Sequence, residues 1–138
     1  MKTLKFKFIA VFATVMVLTA CSLSDDSASA TCFSQYYVAT NNVIGADSTK
    51  VGVPVTLDVV FKTTSSCEAF SQFIEEAEVS DNKIINIGAL VNKTGCECTT
   101  TNTTLNKPYS FITNFPGTYT LRFITATEPI VKTIVVSP

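Results

Sequence analysis

The chain has 138 residues, a length that suits one domain once a leader is removed, and its 46% hydrophobic against 15% charged composition excludes a disordered chain. From Ser22 onward seven basic residues face eleven acidic ones, a net charge of −4 with no basic run, so the clustered cations that nucleic-acid binding needs are missing. The absence of His removes Ser-His-Asp and Cys-His catalysis and every His-ligated metal site, while ten Phe and four Tyr stand in for the missing Trp as large core groups.

Residues 1–20 read as a signal peptide. Lys2, Lys5 and Lys7 form a basic start, and Phe8 to Leu18 form an apolar run too short to span a hydrocarbon core of roughly 30 Å. Leu18-Thr19-Ala20-Cys21 closes that run. It resembles the lipobox of bacterial lipoproteins, in which a thiol takes a diacylglyceryl group and small residues before it admit the peptidase. The resemblance implies lipidation of Cys21, with acyl chains such as palmitate, and an address on the membranes of the cell envelope. Several chains at roughly 0.8 kcal/mol per buried methylene hold a protein there effectively permanently.

Residues 21–31 then read as the lipidated Cys and a flexible acidic tether, its Ser22 to Ala30 run being small and polar. Ser24-Asp25-Asp26 resembles the short acidic signal that sends some lipoproteins to the outside of the outer membrane. Asp26-Ser27-Ala28 and Asp47-Ser48-Thr49 resemble an Asp-Ser/Thr-apolar O-glycosylation triplet.

Residues 32–138 follow period two rather than 3.6. Strands are predicted over Cys32 to Thr40, Val55 to Lys62, Lys83 to Lys93, Tyr109 to Phe115, Thr118 to Thr125 and Ile130 to Val136. Val55, Leu57, Val59 and Phe61 share one face of the second, Ile85, Ile87, Ala89 and Val91 one face of the third, and Tyr119, Leu121 and Phe123 one face of the fifth. Val51-Gly52-Val53-Pro54, Ser80-Asp81-Asn82 and Phe115-Pro116-Gly117 supply turns. Ala69 to Val79 is ambiguous, because Phe70, Phe73, Ile74 and Ala77 recur at helical spacing, yet the segment also fits an irregular strand. The pattern predicts an all-β, antiparallel sandwich of about seven strands.

Gly117-Thr118-Tyr119-Thr120-Leu121-Arg122-Phe123 resembles the penultimate strand of immunoglobulin-like domains. That likeness gives Tyr119 the corner position, its hydroxyl bonded to backbone, and Leu121 the core position where antibody domains carry Cys. No Trp is present, so the Cys-Trp-Cys pin of those domains is missing. The wider pattern runs from Val51-Gly52-x-Pro54 through Cys67-x-x-Phe70-x-x-Phe73 and Gly95-Cys96-x-Cys98-Thr99 to Tyr109-x-Phe111 and Gly117-Thr118-Tyr119. It looks like a family of small bacterial lipoproteins to which no activity is attached, and the resemblance implies fold and address only.

With Cys21 set aside, Cys32, Cys67, Cys96 and Cys98 read as two disulfides of an exported domain. Cys96 and Cys98 are two apart and share a strand face, where a direct bridge is strained, so each should pair with Cys32 or Cys67, in either combination. The scattered singles do not fit the paired knuckles of a four-thiolate zinc site, and a redox-active Cys-x-Cys is the other competing reading. Glu75, Glu76 and Glu78, with Asp81 nearby, match no calcium-loop spacing and read as a solvated face rather than a hydrolytic pair. No catalytic residue, metal site or cofactor is expected. The polar run Thr99, Thr100, Thr101, Asn102, Thr103, Thr104 and Asn106 is the candidate ligand-binding loop, its hydroxyls and amides suited to sugars or to protein backbone. The function expected is a non-catalytic binding or interaction module of the cell envelope with an unidentified protein or glycan ligand; the alternative is a structural accessory subunit of an envelope complex.

Overall fold

Alternation along the chain becomes nine strands in the computed structural model, which describes residues 32–138. They are β1 (Phe33–Val38), β2 (Thr40–Gly45), β3 (Ser48–Lys50), β4 (Val55–Ser65), β5 (Glu68–Ala77), β6 (Ile84–Thr94), β7 (Thr100–Phe111), β8 (Gly117–Phe123) and β9 (Ile130–Ser137), and the described residues contain no helix. The signal peptide, Cys21, the tether and the Asp26-Ser27-Ala28 triplet lie outside the described residues.

The strands form a β-sandwich of a six-stranded and a three-stranded sheet. The larger runs β1-β6-β8-β9-β3, with β5 on the other edge of β6; the smaller runs β2-β4-β7. Five of the seven pairings are antiparallel, and the pairs β3–β9 and β6–β8 are parallel. The division differs from the four-and-three split of an immunoglobulin constant domain. The extra strands are β2, β3 and β5, which weak or interrupted patterning conceals in the sequence.

The expected inner faces meet in the middle. Leu57, Val59 and Phe61 of β4 are fully buried, and so are Ile87 and Val91 of β6, Leu121 and Phe123 of β8, and Ile134 of β9. Burying each such side chain contributes roughly 1.5–3 kcal/mol, which makes this layer the main stabilising element. Aromatic rings cross it in sequence: Phe61 to Phe70 at 5.6 Å between centroids, Phe70 to Phe73 at 4.9 Å, Phe73 to Tyr109 at 5.4 Å and Tyr109 to Phe123 at 5.7 Å.

Two segments resolve differently from the alternation read along the chain. Ala69 to Val79, the ambiguous stretch, is mostly strand β5, and its helical spacing comes from a bulge. Phe70 pairs with Val91 and Gln72 with Leu90, so Ser71 is an extra residue that resets the parity. Phe70 and Phe73 thereby reach the same inner face although they are three apart. The polar run expected as a loop is a correction: Thr100 to Asn106 lie in β7, paired with β4 from Ser65↔Thr100 to Val60↔Asn106. Branched Thr side chains favour extended backbone, and an edge strand also accommodates Pro108, which has no N–H to donate.

β6 carries two neighbours on one edge. β1 occupies Ala89 to Thr94 and β8 occupies Ile84 to Ile87, leaving Gly88 at the seam. The Tyr37 ring covers that glycine so closely that a Cβ there would lie 2.6 Å from a ring carbon. Beyond the seam the chain crosses to the smaller sheet, held by the Thr40 N–H donating to the Ile124 carbonyl at 2.8 Å.

Candidate functional site

The cysteines gather at one pole of the sandwich. Cys32 bonds to Cys96 and Cys67 to Cys98, with Cα separations of 5.0 and 5.6 Å, so each member of the Cys-x-Cys takes one of the two singles. The first bridge ties the start of β1 to the loop after β6, and the second ties the β4–β5 turn to the same loop. Thr99 sits beside them, its N–H donating to Ser66 Oγ at 3.1 Å. The remaining residues of the polar run follow in β7, where Thr103 accepts a 3.4 Å hydrogen bond from buried Thr63. Thr100, Asn102, Thr103, Thr104 and Asn106 are exposed and Thr101 is half-buried, so they present a hydroxyl- and amide-rich ribbon rather than a concave site.

The carboxylates disperse. Glu75 and Glu76 point to opposite faces of β5, Glu78 pairs with Arg122 at 3.3 Å, and Asp81 caps the β5–β6 turn by accepting the Lys83 N–H at 2.9 Å. Among the described residues no cluster of three His, Cys, Asp or Glu side chains is placed to hold a metal. Asp47 pairs with Lys132, and Ser48 beside it is exposed at the start of β3.

At the opposite pole, a cleft of about 650 Å³ opens between the β5–β6 turn and the β7–β8 turn. This volume falls within the range of about 300–1,000 Å³ typical of small-molecule sites. Glu75, Asn82 and Lys83 line one side; Ile112, Phe115 and Pro116 line the other, with Tyr119 between them. The parallel pairing of β6 with β8 creates it, because that pairing sets Lys83, just before β6, beside the start of β8. The Thr120 N–H donates to the Lys83 carbonyl at 2.8 Å.

A closed ring of hydrogen bonds holds the Phe115 turn. Tyr119 donates its hydroxyl proton to the Phe115 carbonyl at 3.1 Å, and the Phe115 N–H donates to Thr113 Oγ1 at 3.3 Å. Thr113 and Tyr119 oxygens lie 3.0 Å apart. Tyr119 has a single proton, already used, so Thr113 is the donor in that third bond. The expected tyrosine corner is therefore present, and it fixes the backbone beneath Phe115, whose side chain is 72% exposed. Large apolar groups held in water by a rigid turn are the informative kind of exposure.

Opposite, the Lys83 ammonium lies 5.9 Å from the Tyr119 ring centroid. Gly117 leaves room for it: a Cβ at that position would lie 2.5 Å from Lys83 Nζ, and the backbone there has φ +143, which L side chains rarely adopt. Tyr109, at 3% exposure, donates to Glu75 at 3.0 Å. Burial, the Glu75 charge and this hydrogen bond together push the Tyr109 phenol well above its usual value, so it stays a neutral donor. Among the described residues the ion pairs are Arg122–Glu78 and Lys132–Asp47, and neither Glu75 nor Lys83 belongs to them.

The sequence carries no ligand-site signature for this cleft, although Phe115-Pro116-Gly117 reads as a turn and Tyr119 as a corner. Its residues come from two separate segments, the β5–β6 hairpin and the β7–β8 connection, and make no local motif. No family model, curated protein or solved structure matches this chain.

Proposed function

We propose that this protein is a lipid-anchored, non-catalytic binding module of the bacterial cell envelope, with its ligand cleft at the pole of the sandwich opposite the disulfides. The observation that carries the reading is the pre-organised cleft beneath Phe115, combined with its position. The chain enters the sandwich at Cys32, in the disulfide pole, while the cleft lies beyond the far end of β6. The eleven residues of β6, at about 3.3 Å each, separate the two poles by roughly 35 Å. The lipobox resemblance supports the anchor, and the acidic run after it supports an outer-membrane, surface-facing address.

The test is to install a photo-crosslinking residue at Phe115 in the full chain, expressed in cells, with Thr64 on the outer face of the small sheet as control. Adducts confined to position 115 are expected; equal labelling at both positions would count against the cleft. A second reading, an accessory subunit of an envelope complex, draws on the outer face of the larger sheet, where Tyr37, Val131 and Val135 are 49%, 55% and 50% exposed. Tyr37→Glu should then release a stoichiometric partner during purification from native membranes.

A further inference from the structure

Resting on the cleft reading above, we infer that the cleft takes an uncharged saccharide, laying one pyranose ring on Phe115 and Pro116 and hydrogen-bonding its hydroxyls to Glu75, Asn82 and Lys83.

The argument starts from charge. One carboxylate and one ammonium line the cleft, and neither is neutralised by an ion pair among the described residues. An anionic ligand drawn to Lys83 meets Glu75 in the same space, and a cationic one drawn to Glu75 meets Lys83. Asp81 on the neighbouring turn adds further negative charge against a polyanion. A ligand without net charge escapes both penalties.

Hydrogen-bonding capacity narrows the class. Glu75 only accepts, Lys83 only donates with three protons, and the Asn82 amide does both. A ligand using all three must offer donors and acceptors side by side, as each hydroxyl of a sugar does. A hydroxyl pair can give a proton to Glu75 while taking one from Lys83. Lys83 is also positioned for this by its stacking on Tyr119, which holds the ammonium at the cleft wall instead of letting it trail into solvent.

The third element is the platform. Sugar rings have an apolar C–H face, which pairs with flat apolar surfaces rather than with deep pockets. Phe115 and Pro116 supply such a surface beside Ile112, and the Thr113–Tyr119–Phe115 ring of hydrogen bonds removes most of the ordering cost of presenting it. An open cleft between two turns also admits a chain end or an internal residue of a polysaccharide without threading.

The experiment uses the full chain in detergent with its disulfides intact, screened on an array of neutral and acidic glycans from bacterial polysaccharides and from plant and animal sources. Free amino acids and short peptides are tested in parallel by calorimetry. Binding of neutral glycans is expected, and the source group that binds identifies where the saccharide comes from. Phe115→Ala should weaken that binding roughly tenfold or more, and Glu75→Gln and Lys83→Gln by roughly three- to tenfold each. Selective binding of acidic glycans, or of amino acids or peptides, with sensitivity to Phe115→Ala overturns the saccharide class and leaves the cleft reading standing. An empty array together with protein adducts at position 115 does the same. Glycan binding unchanged in all three variants overturns both.

Discussion

Tyr36 and Glu68 form the shortest side-chain hydrogen bond joining two strands across β6, with the phenol donating to Glu68 Oε1 at 2.5 Å. Burial pushes the Glu68 carboxyl upward, but hydrogen bonds from Tyr36, from the Thr64 and Ser65 backbone and from the Thr64 hydroxyl outweigh it and hold the group below its usual value of 4.5. Burial, the hydrogen bond to Glu68 and its charge push the Tyr36 phenol up to about 12. A carboxyl depressed in the folded state stabilises fully above its unfolded value, and that contribution fades as pH falls through the folded one. The wild type should therefore lose unfolding free energy more steeply below pH 4.5 than Glu68→Gln does, measured by denaturant titration at several acid pH values; parallel curves would remove Glu68 from the account. Tyr119→Phe tests the corner in the same assay. It deletes two hydrogen bonds within a partly buried ring, an expected loss of about 1–2 kcal/mol, with the far-ultraviolet spectrum unchanged and the midpoint lowered.

At the scale of elements, β1 depends on its neighbours unequally. Its one strand partner among the described residues is β6, and its side chains are exposed apart from Val38. Cys32–Cys96 therefore bolts down a strand that packing alone holds weakly. Closing a 64-residue separation should contribute roughly 4 kcal/mol on chain entropy, lowered here because the second bridge overlaps the same loop. Replacing Cys32 and Cys96 together by Ala should cost about 2–4 kcal/mol, and hydrogen exchange should show Phe33 to Val38 amides losing protection ahead of the β4 and β8 amides. Uniform loss across all strands would assign the bridge to global stability instead. The strands that could be read in the sequence were those with one buried and one wet face, above all β4 and β8, where Val55 to Phe61 and Tyr119 to Phe123 alternate without interruption. β2 was hidden by its turn-like Asn41-Asn42 and its bulge, β5 by the extra Ser71, and the part of β7 before Tyr109 because Lys107, stacked 5.8 Å from the Phe70 ring, puts a charge at an inward position. The cleft was illegible for a different reason: the β5–β6 hairpin that carries Glu75 and Lys83 meets the Phe115 turn through the parallel β6–β8 pairing, which no local pattern encodes.

At the scale of the whole molecule, the disulfides and the cleft lie at opposite poles of the sandwich. The described chain enters the sandwich at Cys32, so a pull from its N-terminal side reaches Cys96 covalently before it reaches the hydrogen bonds of β1. The proposed ligand cleft sits on turns held by Tyr119 and by the Asp81 cap. If the anchor acts only as an address, the two poles should be separable by a single change at Cys21. On the proposed reading Cys21→Ala removes the lipidated thiol, so the chain should accumulate as an unlipidated precursor that takes up no labelled palmitate. The sandwich does not include Cys21, so both disulfides should still form and the position-115 adducts should persist with purified ligand while disappearing from the membrane fraction. Palmitate uptake equal to wild type would overturn the lipid assignment. Loss of the disulfides in that variant would show instead that membrane delivery is needed for oxidative folding, tying the two poles together through the route of export rather than through contact.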